Sequence, residues 1–532
     1  MDIKLDALVV GAGFSGIYQL YSLRKLGLKS RVIDVAGDVG GTWYWNRYPG
    51  AMSDTHSVVY RYSFDQDDLR TYPWRRNYVT QPEILDYLKH VVEKYDLRKD
   101  MQFNTELISA EWDDDAQRWI ARCGNGDVFV VRYLILALGQ LSAKNIPDIP
   151  GINRTDLKMK IAHSSSWDPY LDVRNKRVGI IGNGSSGVQI VTAIADSVKE
   201  LHCFIRHPQY TVPARLREVT LEERQTINAD YDNIWRTTYE SSTGFGFMES
   251  TRPVMSVSAK EREEIFESLW KEGNAFRFLF GAFGDIFLDE EANEEVCKFI
   301  RSKISQVIKD PQKAAVLTPQ DSYTRRPLCD SGYWSKFNKD NVHAIDIKEH
   351  PITSLEQNGV RTADGTLHEL DLLVLATGFR AVDGSFKAIH GGIRGRHGLN
   401  LSDHWGTQPK TYMSLFVSGF PNLFIIGGPQ GPFSSAPPGL TIEIDFLEDL
   451  LRVMESRGTK TVEASTEAES EWVQTCDVLF KKFLVQKTKS WMTGTNIPGV
   501  RPSARFYYGG LNGFVEETKK MKDKDYRGLV FA

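Results

Sequence analysis

The chain has 532 residues, so it exceeds a single ordinary hydrophobic core and is expected to form two or more domains. Its 41% hydrophobic and 25% charged residues are typical of a soluble globular protein, and its formal net charge of -4 gives no reason to expect nucleic acid or anionic lipid as a partner. No apolar run is long enough to cross a bilayer, and the chain starts with a short apolar strand rather than a signal peptide. We therefore expect a cytoplasmic protein with no nucleic-acid or membrane partner, and nothing in the sequence requires more than a monomer.

The five cysteines give no sign of a disulfide framework or of a metal site. They are far apart in sequence, without a CxxC pair or a metal-like Cys/His spacing, and stand at Cys123, Cys203, Cys297, Cys329 and Cys476. An odd number of scattered cysteines is typical of a protein from a reducing compartment. We therefore predict neither disulfides nor a bound metal.

The first informative element is a glycine-rich turn at residues 11–16 (GAGFSG). It follows the apolar run 7–10 and precedes the pattern of an amphipathic helix. A turn between a strand and a helix needs glycines so that it is tight and its backbone N–H groups approach a pyrophosphate. The next apolar strand, residues 31–33, ends at Asp34, where a carboxylate accepts a hydrogen bond from a free ribose 2′-hydroxyl.

A second turn of the same kind, residues 182–187 (GNGSSG), lies between the apolar strand 177–181 and another amphipathic helical pattern. The strand that follows it ends at Arg206, and an arginine at this position accommodates a ribose 2′-phosphate. The contrast between Asp34 and Arg206 predicts FAD in the first turn and NADPH in the second. The alternative, two glycine turns without ligands, must treat both matches and this contrast as coincidence.

These patterns predict an α/β fold with two Rossmann-like dinucleotide-binding domains, for FAD and NADPH, and a largely helical insertion. Residues 107–111, 119–122 and 128–131 are expected to form short antiparallel strands, and residues 133–139 a separate buried strand. The predicted parts are 1–140, the first part of the FAD-binding domain; 141–219, a linker and the first part of the NADPH-binding domain; 220–324, the helical insertion; 325–379, the second part of the NADPH-binding domain; and 380–532, the second part of the FAD-binding domain with substrate-pocket loops.

Residues 40–54 (GGTWYWNRYPGAMSD) closely resemble a long signature of the flavin-dependent Baeyer–Villiger monooxygenases of type I, the family of the cyclohexanone monooxygenase type. A shorter fingerprint of that family falls on residues 157–168. There His163 and Trp167 match, whereas Leu157 and Met159 stand where the family has Phe and Gly. The resemblance runs on through Arg325-Arg326-Pro327, Ala376-Thr377-Gly378 and the C-terminal segment 490–499, so it covers the whole chain.

The resemblance implies a role for individual residues. Arg326 matches the family's catalytic arginine beside the flavin and nicotinamide, and Asp54 matches the carboxylate that holds it. Arg206, His207 and Arg325 match positions at the 2′-phosphate, although Arg325 stands where lysine is usual and Asp34 where Glu is usual. The predicted cofactor contacts are Gly11, Gly13, Phe14, Ser15, Gly16, Asp34, Gly41, Thr42, Trp43, Asp54 and Tyr60 for FAD, and Gly182, Asn183, Gly184, Ser185, Ser186, Gly187, Gln189, Arg206, His207, Arg325 and Trp491 for NADPH.

The loops that would line a substrate pocket carry fewer signals. The candidates are Ser142, Phe433, Ser434, Ser435 and Phe506. The glycine- and proline-rich segment around residue 433 also fits a simple connection between elements. His163 and Trp167 are expected to pack at the domain junction rather than to take part in catalysis.

The resemblance implies an enzyme that inserts one oxygen atom of O₂ next to a ketone carbonyl and so forms an ester or lactone. NADPH reduces FAD, and the reduced flavin forms a C4a-peroxyflavin anion that must stay deprotonated to act as a nucleophile. A permanently protonated guanidinium stabilises such anions without giving up its proton, which suits Arg326. A small-molecule ketone and O₂ are therefore the expected partners.

Three alternatives remain at this stage. The first is a flavin-containing monooxygenase that oxygenates nitrogen or sulfur, for which the departures at Leu157 and Met159 leave room. The second is a flavin disulfide reductase, which needs a redox-active cysteine pair that this sequence does not offer. The third is a nucleotide sensor that binds FAD and NADPH without consuming O₂.

Overall fold

The larger of two central β-sheets carries the first glycine turn. The computed structural model describes residues 2–532, and in it eight strands form this first sheet, in the order Ile393–Arg394, Leu107–Asp113, Arg118–Cys123, Val128–Leu136, Ile3–Val10, Ser30–Ile33 and Met101–Gln102, with Leu423–Ile425 paired to Val128–Leu136. The strands around Ile3–Val10 are parallel. Parallel strands are buried on both faces, which explains the near-continuous apolar runs in this part of the sequence.

One strand of the first sheet differs from the prediction. The sequence suggests separate strands at residues 128–131 and 133–139, but the structure has one continuous strand, Val128–Leu136. Its first half pairs antiparallel with Arg118–Cys123, and residues 129–136 pair parallel with Ile3–Val10. No Gly or Pro interrupts the segment, so the hairpin strand simply extends into the nucleotide-binding half of the sheet.

The second sheet carries the second glycine turn and is entirely parallel. Its five strands are, in order, Val342–Asp346, Glu200–Ile205, Arg177–Ile181, Leu372–Leu375 and Lys160–His163. A three-stranded antiparallel sheet, Ile352–Glu356, Gly359–Thr362 and Leu367–Glu369, packs against one face of it. The predicted fold class, α/β with two Rossmann-like sheets, is confirmed.

The stretch between the two halves of the second sheet is helical, as predicted. It contains Leu221–Ala229, Tyr231–Glu240, Ala259–Glu272, Ala275–Ala282, Glu290–Val307 and Pro311–Leu317. The side chains of Thr220, Ser258, Asp289 and Asp310 each accept a backbone N–H bond at the start of one of these helices, so the capping residues fix where the helices begin. Apolar residues of the insertion share one hydrophobic core with the second sheet.

The remaining helices pack on one of the two sheets or join the parts of the chain; Ser185–Ile194 and Tyr333–Lys336 pack on the second sheet. They are Phe14–Lys25, Thr42–Trp45, Gln66–Thr71, Gln81–Lys94, Ser185–Ile194, Tyr333–Lys336, Gly384–Lys387, Leu401–Trp405, Ala436–Arg457, Thr466–Phe480 and Leu511–Asp523. Three two-stranded pairs complete the fold: Met52–His56 with Tyr78–Thr80, Thr211–Pro213 with Leu328–Asp330, and Val462–Ala464 with Leu529–Phe531. Within residues 2–532, no helix is both long and apolar enough to span a bilayer. All five cysteines are buried free thiols.

Candidate active site

The first glycine turn has the backbone that a phosphate site needs. Gly11 has φ 112°, and a Cβ atom added to it would lie 2.3 Å from the carbonyl oxygen of Ala137. A Cβ on Gly16 would lie 1.8 Å from Gly11 O, so the helix packs directly on the turn. Asp34 accepts backbone N–H bonds from Ala12 (2.7 Å) and Ala36 (2.8 Å), one on each carboxylate oxygen. Asp34 therefore joins the turn to the end of the second strand, where the ribose is expected.

The long signature packs against this first turn. A Cβ atom added to Gly41 would lie 2.8 Å from the Cα of Gly13. The absence of side chains at both glycines therefore lets the backbone of the long signature pack closely against the backbone of the first turn. The Trp43 indole N–H donates to the Tyr60 hydroxyl at 3.1 Å. The Tyr60 ring in turn contacts the Phe14 ring, with centroids 5.4 Å apart. The structure thus brings these predicted FAD contacts together, beside Ser15 and Thr42.

The second turn repeats the geometry of the first. Gly182 has φ 104°, and a Cβ there would lie 2.4 Å from Ala376 O, while a Cβ on Gly187 would lie 2.1 Å from Gly182 O. A Cβ on Gly184 would meet nothing within 4 Å. The side-chain nitrogen of Asn183 is buried and has no hydrogen-bond partner among residues 2–532. The turn therefore combines an open approach at Gly184 with an unused donor at Asn183.

Arg326 lies where the two nucleotide turns meet. Its Nη1 donates to the Asp54 carboxylate at 2.5 Å and to the Ser185 hydroxyl at 3.0 Å. Asp54 belongs to the long signature and Ser185 to the second turn, so a single guanidinium nitrogen connects the predicted FAD and NADPH sites. All hydrogen bonds that Arg326 makes within residues 2–532 use Nη1, which leaves Nε and Nη2 as free donors. The side chain is 30% exposed, against 3% for Asp54.

The charge of Arg326 is maintained by its neighbour Asp54. Burial opposes the charge of Arg326, but the adjacent Asp54 carboxylate outweighs it and raises the pKa of Arg326 further above its usual range. Burial raises the pKa of Asp54, and the Arg326 charge opposes that rise. One carboxylate oxygen of Asp54 is buried without a hydrogen-bond partner. The charge of the Asp54 carboxylate is therefore stabilised mainly by Arg326, which contacts the other oxygen.

Two residues of the helical insertion complete the surroundings of Arg326, and sequence reasoning missed both. The Phe276 ring lies under the guanidinium, with Cζ 5.3 Å from the ring centroid. Asn274 precedes the helix Ala275–Ala282 and caps it by accepting from Arg277 N, while its amide donates to Asp54 O at 3.3 Å. The pair Gly273-Asn274 is a visible helix-start signal, but nothing local links it to Asp54.

The three residues predicted to bind the 2′-phosphate lie together. Burial and the positive charges of Arg325 and Arg206 lower the pKa of His207, so the two arginines carry the positive charge of this group. Arg206 is exposed and makes no hydrogen bond within residues 2–532. Arg325 donates to the Asp321 carboxylate at 2.8 Å, and His207 Nδ1 lies 3.6 Å from the same carboxylate. The acidic residue among the cations was not predicted.

The candidate pocket residues divide into two groups. The rings of Trp491 and Phe506 have centroids 5.9 Å apart, and those of Phe506 and Phe433 are 5.5 Å apart. Ser434 and Ser435 follow Phe433 directly, and Ser435 N donates to Thr243 O of the insertion at 2.8 Å. Ser142 is exposed, and its hydroxyl donates to the backbone of Leu138. No hydrogen bond joins Ser142 to the aromatic group.

Gln189 connects the second turn to the long signature. Its side chain accepts from the Tyr48 hydroxyl at 2.9 Å and donates to Met52 O at 3.1 Å. The residue is 7% exposed. The structure therefore gives Gln189 a role in joining the two halves, and the contact with NADPH stays a prediction.

His163 and Trp167 lie in the interior, in agreement with a packing role. Trp167 belongs to the core of the second sheet. His163 Nδ1 accepts from the backbone N–H of Ser165 at 3.2 Å, so Nε2 carries the proton and donates to Gly378 O at 3.2 Å. Burial lowers the pKa of His163 to about 4, and the bond to Gly378 opposes that shift.

Because His163 is neutral in the folded protein, the free energy of unfolding depends on pH. In the unfolded chain His163 binds a proton near pH 6.5, whereas in the fold it does so near pH 4, so its contribution is complete above pH 6.5 and is lost as the pH falls to about 4. We expect His163→Gln to remove about 1–3 kcal/mol of that acid loss, measured by urea unfolding from pH 7 to pH 4. The exposed His397→Gln is the control and should leave the slope unchanged.

The residues present fit FAD and NADPH. Gly13 and Gly184 are the N-cap residues of the helices Phe14–Lys25 and Ser185–Ile194, and no side chain caps either N-terminus. Their first backbone N–H groups are therefore free to bind a pyrophosphate. At the second turn Asn183 adds its unpaired donor.

The two glycines of the second turn should respond differently to alanine. A methyl group at Gly184 meets no protein atom, so Gly184→Ala should keep the melting temperature within ~1 °C while NADPH affinity falls by about tenfold or more, because the methyl group occupies the path of the pyrophosphate. Gly182→Ala forces a clash and an unfavourable φ, and should lower the melting temperature as well. Thermal unfolding and NADP⁺ titration measure the two effects. Equal loss of stability in both variants would contradict the assignment.

The chain is similar to known flavin-dependent enzymes along its full length. Residues 4–214 match the FMO-like family, flavin-binding monooxygenase-like. The chain is 42% identical over 529 residues to a Baeyer–Villiger monooxygenase of Pseudooceanicola batsensis, which covers 99% of this chain and 96% of the relative. It is 43% identical over 526 residues to a phenazine N-monooxygenase of Lysobacter antibioticus, with coverage of 99% and 96%. The crystal structure of a cyclohexanone monooxygenase from Rhodococcus sp. Phi1 bound to NADP⁺ has a TM-score of 0.98 at 45% identity and covers 100% of this chain and 99% of that chain.

Together with these matches, the two Rossmann-like sheets and the guanidinium–carboxylate pair between them place the chain among the flavin-dependent monooxygenases that use a nicotinamide coenzyme. Sequence identity above 40% along the full length to Baeyer–Villiger enzymes identifies the family within this class. The chain belongs to the Baeyer–Villiger monooxygenases. It is an NADPH-dependent oxidoreductase that contains FAD.

Proposed function

We propose that this enzyme uses NADPH and O₂ to insert one oxygen atom next to the carbonyl of a small ketone, giving an ester or a lactone. The observation that carries the proposal is the position of Arg326, whose Nη1 bonds both Asp54 and Ser185 while two further donors stay free. A fixed cation at the junction of the two cofactor sites is what the addition of a nucleophilic oxygen to a ketone requires.

FAD, when bound and reduced by NADPH, supplies the activation of O₂. The residues of the chain supply position and charge. The free Nε and Nη2 of Arg326 can donate to the carbonyl oxygen of the ketone, where negative charge develops as the inserted oxygen atom adds. Because its pKa lies above the usual range, Arg326 keeps its proton throughout. Asp54 holds the guanidinium in one orientation through a charge-assisted hydrogen bond.

The other predicted contacts are proposed to bind cofactor and substrate. The first turn, Asp34 and the aromatic group of Trp43, Tyr60 and Phe14 are assigned to FAD. The second turn with Arg206, His207 and Arg325 is assigned to NADPH. The rings of Trp491, Phe506 and Phe433 are proposed to lie between the nicotinamide and the ketone, because their contacts form one continuous aromatic group.

The domain division predicted from the sequence is kept as part of this proposal. The first sheet draws strands from residues 3–136 and 393–425, and the second from residues 160–205 and 342–375. These ranges support breaks near residues 140 and 379. The helices from Leu221 to Leu317 support an insertion between residues 220 and 324.

The test is a substrate panel with product analysis. Purified enzyme with FAD and NADPH should convert cyclohexanone to its lactone with one O₂ consumed per NADPH. Gas chromatography identifies the product, and a peroxide assay detects NADPH oxidation that forms no product. The alternative of nitrogen or sulfur oxygenation is not favoured, because the full-length matches include a Baeyer–Villiger monooxygenase and NADP⁺-bound cyclohexanone monooxygenase. An aromatic amine and a sulfide belong in the panel because one relative is a phenazine N-monooxygenase. Turnover of the amine or the sulfide, with no ester or lactone formed from any ketone, would overturn the proposal.

A further inference from the structure

An acidic side chain, Asp321, contacts two of the residues that we assign to the 2′-phosphate of NADPH, Arg325 and His207. One oxygen of Asp321 accepts from Arg325 Nη2 at 2.8 Å and lies 3.6 Å from His207 Nδ1. The Asp321 side chain is 47% exposed, so its carboxylate is open to solvent. An anion that binds Arg325 and His207 from solution would therefore come close to this carboxylate.

Asp321 is charged in this position. Burial opposes its ionisation, but Arg325, His207 and Lys348 together lower the pKa of Asp321 below its usual range. Burial, Arg325 and Arg206 together lower the pKa of His207. The group therefore contains one carboxylate anion together with two charged arginines.

A hydrogen bond to Tyr210, which stacks on a second tyrosine, holds the main chain at Asp321 in place. The Tyr210 hydroxyl donates to Asp321 O at 2.9 Å, and Arg301 donates to that hydroxyl at 3.1 Å. The Tyr210 ring stacks on Tyr323, with centroids 4.8 Å apart. Rotation of the Asp321 side chain can release Arg325 and His207, and after this rotation the carboxylate still lies near a phosphate bound between them.

We propose that Asp321 is an internal counter-anion of the coenzyme site that limits how strongly this enzyme prefers NADPH to NADH. It competes with a 2′-phosphate for Arg325 and His207, and it repels the phosphate charge. With NADH it accepts a hydrogen bond from the free ribose 2′-hydroxyl, the contact that a carboxylate makes in NAD-binding sites. The inference rests on the proposed assignment of Arg206, His207 and Arg325 to the phosphate.

The test compares binding of 2′,5′-ADP and 5′-AMP to the FAD-bound enzyme by isothermal titration calorimetry. Asp321→Asn should tighten 2′,5′-ADP binding by about fivefold or more, because it removes one like charge at close range, and should leave 5′-AMP binding unchanged or weaker. In turnover the KM for NADPH should fall while the KM for NADH does not. The matched control is Asp340→Asn, which removes the same charge from an exposed residue on the same domain and should change neither ligand.

Two results overturn the inference. If Asp321→Asn binds 2′,5′-ADP no tighter than the parent enzyme, or more weakly, then Asp321 does not compete and instead only positions Arg325. If Asp340→Asn tightens binding equally, the effect is one of overall charge. Arg206→Ala separates these results from failure of the coenzyme assignment. If Arg206→Ala leaves 2′,5′-ADP binding intact, the assigned phosphate site is wrong. If Arg206→Ala weakens 2′,5′-ADP binding but Asp321→Asn does not tighten it, the phosphate site stands and only the counter-anion role of Asp321 is refuted.

Discussion

Replacing Arg326 by alanine should abolish most oxygen insertion while leaving the reduction of the flavin largely intact. The substitution removes the free Nε and Nη2 donors at the junction of the two cofactor sites, and loss of such a stabilising group costs about 10²–10³ in turnover. We expect lactone formation from cyclohexanone to fall by that factor. Anaerobic mixing with NADPH should still bleach the flavin absorbance, because the glycine turns that bind both cofactors are unchanged.

Two further variants make this result specific. Arg326→Lys keeps a positive charge but loses the planar fork, and should recover only a small part of the activity. Arg122→Ala removes an exposed arginine from the first sheet and should behave like the parent enzyme. Full product yield per NADPH in Arg326→Ala would exclude Arg326 as the catalytic cation.

The second large effect is expected at Asp54. Asp54→Asn preserves the shape of the side chain but leaves the Arg326 guanidinium without its counter-ion, and breaking such a pair by removing one partner costs about 3 kcal/mol of unfolding free energy. The guanidinium also loses its fixed orientation, which should lower lactone formation by about 10²-fold. Urea unfolding and steady-state product analysis measure the two effects separately.

Asp148→Asn, an exposed substitution of the same kind, is the control for Asp54 and should change neither quantity. A variant of Asp54 that is less stable but forms product at the parent rate would show that Arg326 is oriented by other contacts, with Ser185 and Phe276 as the remaining candidates.

The sequence predicts the two glycine turns because their constraints are local. A positive φ at Gly11 and Gly182 and a side-chain-free helix start at Gly13 and Gly184 are visible in the spacing of glycines between a strand and a helix. The division of the chain between two sheets also follows from apolar strand patterns. The prediction of separate strands at residues 128–131 and 133–139 is wrong, because one strand, Val128–Leu136, serves both the hairpin and the parallel part of the sheet.

The contacts around Arg326 and Arg325 could not be predicted in the same way. Phe276 and Arg326 are separated by fifty residues of helix and loop, and only the packing of the insertion on the second sheet brings the ring under the guanidinium. Asp321 stands four residues before Arg325, but no helix joins them, so the usual spacing rule for ion pairs gives no warning. The family resemblance supplied Asp54 and Arg326 themselves.

The ring of Phe276 has a consequence for engineering. The insertion is one continuous segment of the chain, so it could be exchanged between relatives to change the ketone preference. Such a graft would also replace the aromatic face beneath the guanidinium and the amide of Asn274 on Asp54. Chimaeras that keep both side chains should retain turnover, whereas libraries that randomise the helix Ala275–Ala282 will alter selectivity and rate together.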